Sequence, residues 1–183
     1  MTAVIDTSSL LALVRYYIPF DKNGLLKDFI KNKVADRELI VLDKVVEESG
    51  FVSKGIILKT LDFLKKEQIK TENLLPNPKF FNQLDNQFSY GAKKNEMTIP
   101  EFENEKRKYL NSADAKELLF CIKNSEGSIF NECLLVTEET TSDNDSKLFK
   151  KLPKICNILN VVNCDLPVLF KEHYKLDFGR IFN

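Results

Sequence analysis

The residues in this chain whose types and spacing could do chemistry are carboxylates at the ends of apolar runs. "TAVID" (residues 2–6) ends in Asp6, with Thr7, Ser8 and Ser9 directly after it. "ELIVLD" (38–43) ends in Asp43 and leads on to Glu47 and Glu48. "LLVTEE" (134–139) ends in Glu138 and Glu139, and Asp114 stands where the helical pattern of "SADAKELL" (112–119) begins. If the apolar runs are strands of one parallel sheet, their ends share an edge, and ligands of open parallel sheets bind outside that edge. Several carboxylates meeting in a partly dry cleft repel one another unless a cation offsets them. Oxygen donors without histidine or cysteine suit Mg²⁺ or Mn²⁺ rather than zinc. Such sites hold phosphates through metal, and they can drive in-line displacement by water.

Each acid also has a structural reading. Asp6 can cap the helix that follows it. Asp114 lies in a first helical turn, where the helix dipole favours an acid by about 0.3–1 kcal/mol. Glu47 and Glu48 can be solvated on a helix face, and Glu138 and Glu139 can border the polar loop "TTSDNDSK". The ensemble favours the site, because every acid holds the same kind of position on one expected edge.

The elements that must position these acids alternate. "TAVID", "ELIVLD" and "ECLLVTEE" read as buried strands, and "ICNILNVVNC" holds at least one more. Leu10, Leu11, Leu13 and Val14 give a helix that Pro19 ends. "DKNGLLKDFIKNKV" gives a second, with Asp21 as N-cap. "KVVEESGFVSKG" reads as helical up to the Ser49-Gly50 or Lys54-Gly55 break, and "IILKTLDFLKKEQI" (56–69) as one amphipathic helix. Prolines 76, 78 and 100 and many Asn and Gln residues make 73–100 loop-like, with a short helix around "KFFNQLDNQF". "EFENEKRKYL" resumes a helix. In "SADAKELLFCIKN" Ala115, Leu118, Leu119 and Ile122 form the apolar stripe, and "LPVLFKEHYKL" closes the chain with a short helix. The expected fold is α/β, a three-layer sandwich around a central, mostly parallel sheet. Residues 1–183 form a single domain, with a helical and loop insertion over residues 55–110.

Composition narrows the setting. The 27 basic residues balance the 27 acidic ones. A strong nonspecific binder of nucleic acid or membrane would carry a basic excess, so any nucleic-acid contact must come from local patches. The basic stretches "LKKEQIK", "AKK" and "KRK" are candidates, with solvated helix faces as their structural alternative. Cys121, Cys133, Cys156 and Cys164 lack CxxC spacing and have only His173 to join them, which suits neither zinc nor disulfides and fits a reducing cytoplasm. No apolar run reaches the roughly 18 residues of a membrane span, and no secretion signal is evident.

The order of these motifs resembles the PIN-domain family of metal-dependent nucleases. "VIDTSSLL", "VLDKVVEES", "NSADAKELL" and "LLVTEE" follow the family's order. The tail "KLPKICNILNVVNCDLPVLF" looks like a poorly characterised PIN-like branch in which "VTEE" replaces the commoner Thr-x-Asp ending. The resemblance covers residues 1–60 and 108–175. It implies Asp6 as the principal metal ligand, supported by Ser8 or Thr7, and Glu48 as the second acid in preference to Glu47. It implies Asp114 as the third and Glu139 as the fourth, two residues after Thr137, whose hydroxyl would orient Glu139 or touch phosphate. Glu139 stands where Asp is common, so its carboxylate reaches farther or acts through water. The implied activity is Mg²⁺- or Mn²⁺-dependent endoribonuclease, as the toxin of a bacterial toxin–antitoxin pair. RNA, an antitoxin protein and a second copy of the chain are the implied partners. The alternative is a catalytically degenerate PIN-like scaffold for RNA or protein. A haloacid-dehalogenase-type phosphatase would want a second Asp where Ser8 stands, and a receiver domain fits the order of acids poorly.

Overall fold

The computed structural model describes residues 2–125, 133–142 and 147–182. Glu132, at the start of the expected third strand, and residues 143–146 of the polar loop lie outside the described residues. Four strands, β1 (Thr2–Ile5), β2 (Leu39–Ile40), β3 (Cys133–Val136) and β4 (Asn163–Cys164), form an all-parallel sheet in the order β2-β1-β3-β4. Successive strand residues point to opposite faces. Ala3, Val4 and Ile5 are all fully buried, as are Leu135 and Val136, so both faces of the two central strands are covered. That is why these strands read as continuous apolar runs.

The strand order creates a crevice. From β1 the chain leaves toward β2 on one side, whereas from β3 it leaves toward β4 on the other. The connections diverge between β1 and β3, which makes that gap the topological switch point of the sheet. The register pairs Ile5 with Val136, so the next residues, Asp6 and Thr137, emerge side by side at the carboxyl edge. The Asp6 amide donates to the Val136 carbonyl at 3.1 Å, extending the ladder to that point.

Helices follow in the expected places, with instructive departures. Helix α1 (Thr7–Ala12) does not stop before Pro19: it widens over Leu13–Tyr17 and tightens into a 3₁₀ turn at Ile18–Phe20. Pro19 sits at the start of that turn, where its missing N–H costs no helical bond. Helix α2 (Leu25–Ala35) is entered through Gly24 at φ 73°, and Asp21 reaches forward to accept the Lys27 amide at 2.9 Å. Helix α3 (Asp43–Phe51) follows β2, and the chain then turns sharply, with Ser53, Lys54 and Gly55 all at positive φ. The Gly55 Cβ position would lie 3.1 Å from the Gly50 carbonyl, so that corner has room for glycine alone.

The single amphipathic helix expected over 56–69 is two pieces, α4 (Ile56–Thr60) and α5 (Leu64–Glu67), broken at Leu61. The break lets Ile57, Leu61, Phe63 and Leu64 all reach the core. Beyond it Ile69 pairs with the backbone of Val41 and Asp43, and Leu42 and Ile69 form an isolated parallel bridge. The segment around residue 80 forms α6 (Pro78–Gln83) and a wide turn through Phe88. Its Phe80, Leu84 and Phe88 belong to the same buried cluster as the sheet residues. Helices α7 (Gly91–Asn95) and α8 (Ile99–Leu110) lead into α9 (Ala113–Ser125). After β3 come α10 (Leu152–Leu159), β4, α11 (Leu166–Val168) and α12 (Phe178–Phe182). The last expected helix, "LPVLFKEHYKL", is α11 running into a wide turn to His173. Cys121 of α9 and Cys133 of β3 are buried with their sulfurs 3.3 Å apart, and all four cysteines are free thiols.

Candidate acidic site at the carboxyl edge

Asp6 is 5% exposed and heavily bonded. Its carboxylate accepts the Ser9 amide at 2.7 Å, the Ser8 hydroxyl at 2.8 and 3.1 Å, and the Thr137 hydroxyl at 2.7 Å. The Ser9 bond makes Asp6 the N-cap of α1, so the structural role read from sequence is present. The hydroxyl bonds do something a cap does not need. Ser8 Oγ also accepts the Glu138 amide at 3.0 Å, and Thr137 Oγ1 accepts the Glu139 amide at 3.1 Å. Two hydroxyls thus tie the tip of β1 to the residues leaving β3 and lock the Asp6 rotamer. Burial pushes the Asp6 carboxyl up, and these donors oppose it. The Thr137 proton is committed to Asp6, so this hydroxyl orients Asp6 and the Glu139 backbone and has no proton to offer a phosphate.

Glu48 turns toward this corner, since Thr7 Oγ1 donates to Glu48 Oε2 at 2.7 Å. Glu47 pairs instead with Lys44 at 2.7 Å across an exposed helix face. The register of α3 therefore favours Glu48 as the acid beside Asp6. Asp43 is not part of the group: it accepts the Thr71 hydroxyl at 2.6 Å. Asp114, in the first turn of α9, is half-buried and opens on a cleft of about 510 Å³ that Glu48 and Glu139 also line. Its carboxyl is pushed up to about 7, first by burial and then by the charges of Glu139, Glu48 and Asp6, with Lys147 opposing. The four acids thus share one electrostatic neighbourhood. Glu139 has a second duty: one of its oxygens accepts the Leu152 amide at the start of α10, at 2.9 Å. Glu138 accepts the Leu166 amide at 2.8 Å and so holds the start of α11.

One acid of this neighbourhood escapes the sequence reading. Glu117 of α9 is fully buried, and neither carboxylate oxygen has a hydrogen-bond partner among the described residues. Burial holds its carboxyl far above the usual range, followed by the charges of Asp6, Asp114, Glu48 and Glu139. The apolar stripe of α9 drew attention away from it. The stripe's outer member, Ile122, is only half-buried, whereas Lys116 is buried and donates to the Leu74 carbonyl at 2.8 Å. The available signal was spacing: Asp114 and Glu117 are three apart and so share a helix face.

The rim of the cleft is mixed. Lys44, Lys147, Lys150 and Lys151 contribute cationic groups beside the acids, and Phe51 stands 84% exposed at the end of α3. Tyr109 packs on Phe149 with ring centroids 4.4 Å apart, and its hydroxyl is buried without a partner among the described residues.

The donor set fits a hard divalent cation by its chemistry. All its candidate ligands are carboxylate oxygens, their mutual repulsion raises Asp114 despite the opposing charge of Lys147, and Glu117 has two orphaned oxygens. As the side chains stand, no group of three or more His, Cys, Asp or Glu residues among those described is spaced to hold an ion directly. Comparison with family models, with curated proteins and with solved structures found no match.

Proposed function

We propose that this protein is a Mg²⁺- or Mn²⁺-dependent endoribonuclease with a PIN-like three-layer fold. The observation that carries the reading is that Glu48, Asp114 and Glu139, delivered by separate elements, line one cleft, and that their charges and that of Asp6, at the crevice between β1 and β3, act on Asp114. The sequence's resemblance to the PIN-domain family supports it, because the four acids occupy that family's motif positions in order. The wider proposal, the toxin of a cytoplasmic toxin–antitoxin pair with an antitoxin protein or a second copy as partner, rests on that resemblance alone.

In this reading Asp6, Glu48, Asp114 and Glu139 hold the metal, with Glu139 free to act through water. A bound divalent cation supplies charge neutralisation and a more acidic water. The chain's own residues do the rest. Ser8, the Ser9 amide and Thr137 fix the Asp6 carboxylate in one rotamer, so it needs no reorganisation when substrate arrives. Thr7 fixes Glu48 in the same way. Lys147, Lys150 and Lys151 draw the phosphate backbone into the cleft, and Phe51 offers a face for one base to stack on.

The test uses end-labelled single-stranded RNA with Mg²⁺, with Mn²⁺ and with chelator. We expect cleavage that needs metal and that persists when the ribose at the cut carries no 2′-hydroxyl, since water is the nucleophile. Cleavage that ignores chelator, or that stops without the 2′-hydroxyl, contradicts the reading. One observation stands on the side of a catalytically degenerate scaffold: Asp6 and Glu139 already spend carboxylate oxygens on donors of the protein itself. Metal-independent RNA retention without cleavage would be its signature.

A further inference from the structure

A carboxyl group buried with both oxygens unpartnered costs several kcal/mol, so proteins keep one only where something else completes it. Glu117 is such a group. It is 0% exposed, while its neighbours Ala115, Leu118 and Cys121 on α9 are ordinary core residues. Lys116, next to it in sequence, donates to the Leu74 carbonyl and not to Glu117. Among the described residues neither a hydroxyl nor an amide donates to Glu117. The charged groups near enough to act on it are Asp6, Asp114, Glu48 and Glu139. One helical turn separates it from Asp114, which places it beneath the cleft that Asp114 opens on. Asp6 already accepts three donors and Glu139 accepts the Leu152 amide, so both have part of their oxygen capacity occupied. Asp114 and Glu117 accept no hydrogen bond among the described residues, and of the two only Glu117 is fully buried, with both oxygens shut off from solvent.

We propose that Glu117 is a fifth acidic ligand of this site, the innermost oxygen donor for a divalent cation of the Mg²⁺ or Mn²⁺ class. The proposal rests on the metal-dependent reading of the site and extends it to a residue that the motif resemblance does not include. Glu117 supplies the ligation that the bonded carboxylates cannot give, and the cation supplies the partner that the protein withholds. The buried Glu is thereby retained for binding, at a cost in stability when no metal is present.

The measurement is Mn²⁺ affinity, read from the electron paramagnetic resonance signal of free Mn²⁺ during titration, without RNA and without turnover. Wild type is compared with Glu117→Gln, with Glu117→Met and with Glu105→Gln, a rim acid of the same cleft paired with Lys108. We expect both Glu117 variants to bind Mn²⁺ about tenfold or more weakly, and Glu105→Gln to bind as wild type does. In chelator the Met variant should melt at or above the wild-type temperature, because it buries no polar atom. That variant keeps the test valid if the amide fails to fold. Unchanged Mn²⁺ affinity in a folded Glu117 variant overturns the proposal and makes Glu117 a core carboxyl, leaving the four-acid reading standing. Wild type that binds no Mn²⁺ at millimolar concentration overturns both.

Discussion

At the scale of single residues, burial makes Asp6, Asp114 and Glu117 hard to ionise, and the charges of the neighbouring acids add to this at the last two. Asp114 carries the clearest consequence. Its ordinary value of 3.8 rises to about 7 in the folded protein. In the unfolded chain the group ionises first, so the folded state binds more protons across that interval. Stability contributed by Asp114 is therefore greatest at acidic pH, falls as pH climbs from about 4 to about 7, and is level above that. Chelated melts across this range should show Asp114→Asn gaining on the wild type as pH rises, with the gap closed at the acidic end. A gap that shrinks with rising pH would show that the Asp114 charge is favourably paired. Asp6 shifts in the same direction, and a divalent cation should flatten the profile by favouring the ionised forms. The roles of Asp6 and Thr137 were only partly legible in the sequence. A strand ending in Asp before three hydroxyl residues announces a fixed carboxylate. The donation from Thr137 to Asp6 depends on the register of β1 against β3, which no local pattern encodes.

At the scale of elements, the loops leaving β3 have two functions at once. Glu139 faces the cleft and also holds the first turn of α10 through the Leu152 amide. Replacing Glu139 by Ala should cost about 1 kcal/mol of stability even in chelator, whereas Gln keeps the acceptor and should cost a few tenths. Both changes should weaken Mn²⁺ binding. Chemical denaturation of the two variants checks this, and an Ala variant as stable as wild type would remove the structural half of the argument. Elements with a clear apolar pattern were readable: β1, β3 and α9 lie where the sequence puts them, whereas α2 begins at Leu25 behind Gly24 and not behind Asp21, which bonds the Lys27 amide from outside the helix. The segment 56–69 was not, because its apolar positions fit one helix while Leu61 needs a break to bring Phe63 and Leu64 onto the core. Glu117 was hidden for a related reason. Helical spacing alone does not separate a buried acid from an exposed one on the flank of an apolar stripe.

At the scale of the whole molecule, charge is balanced, and the cationic groups that matter are local. Phe51 and the cleft lysines are the candidate RNA surface. Phe51→Ala should leave stability within about 0.5 kcal/mol, since the ring is exposed, while weakening single-stranded RNA binding by about 1–3 kcal/mol if a base stacks there. Fluorescence anisotropy at fixed salt reads the second effect, and unchanged affinity would place the RNA elsewhere. No helix among the described residues is long and apolar enough to cross a membrane. Strand order explains why a crevice forms at this edge: the sheet's connections part between β1 and β3, and Asp6 stands at the parting. An alternation of strands and helices announces a parallel sheet, but the order β2-β1-β3-β4 arises from long-range pairing and cannot be read from periodicity. The account converges on Asp6, and one substitution tests it most directly. Asn caps a helix about as well as Asp, so Asp6→Asn keeps the bond to Ser9, removes the charged ligand, and puts a donating amide where Ser8 and Thr137 now donate, a loss that relief of the buried charge offsets. Cleavage of labelled RNA by the two proteins in Mn²⁺, with melts in chelator as the folding control, gives the answer. The account predicts a loss of activity of roughly 10²-fold or more in a variant that melts no lower than wild type, and full activity in Asp6→Asn would contradict it.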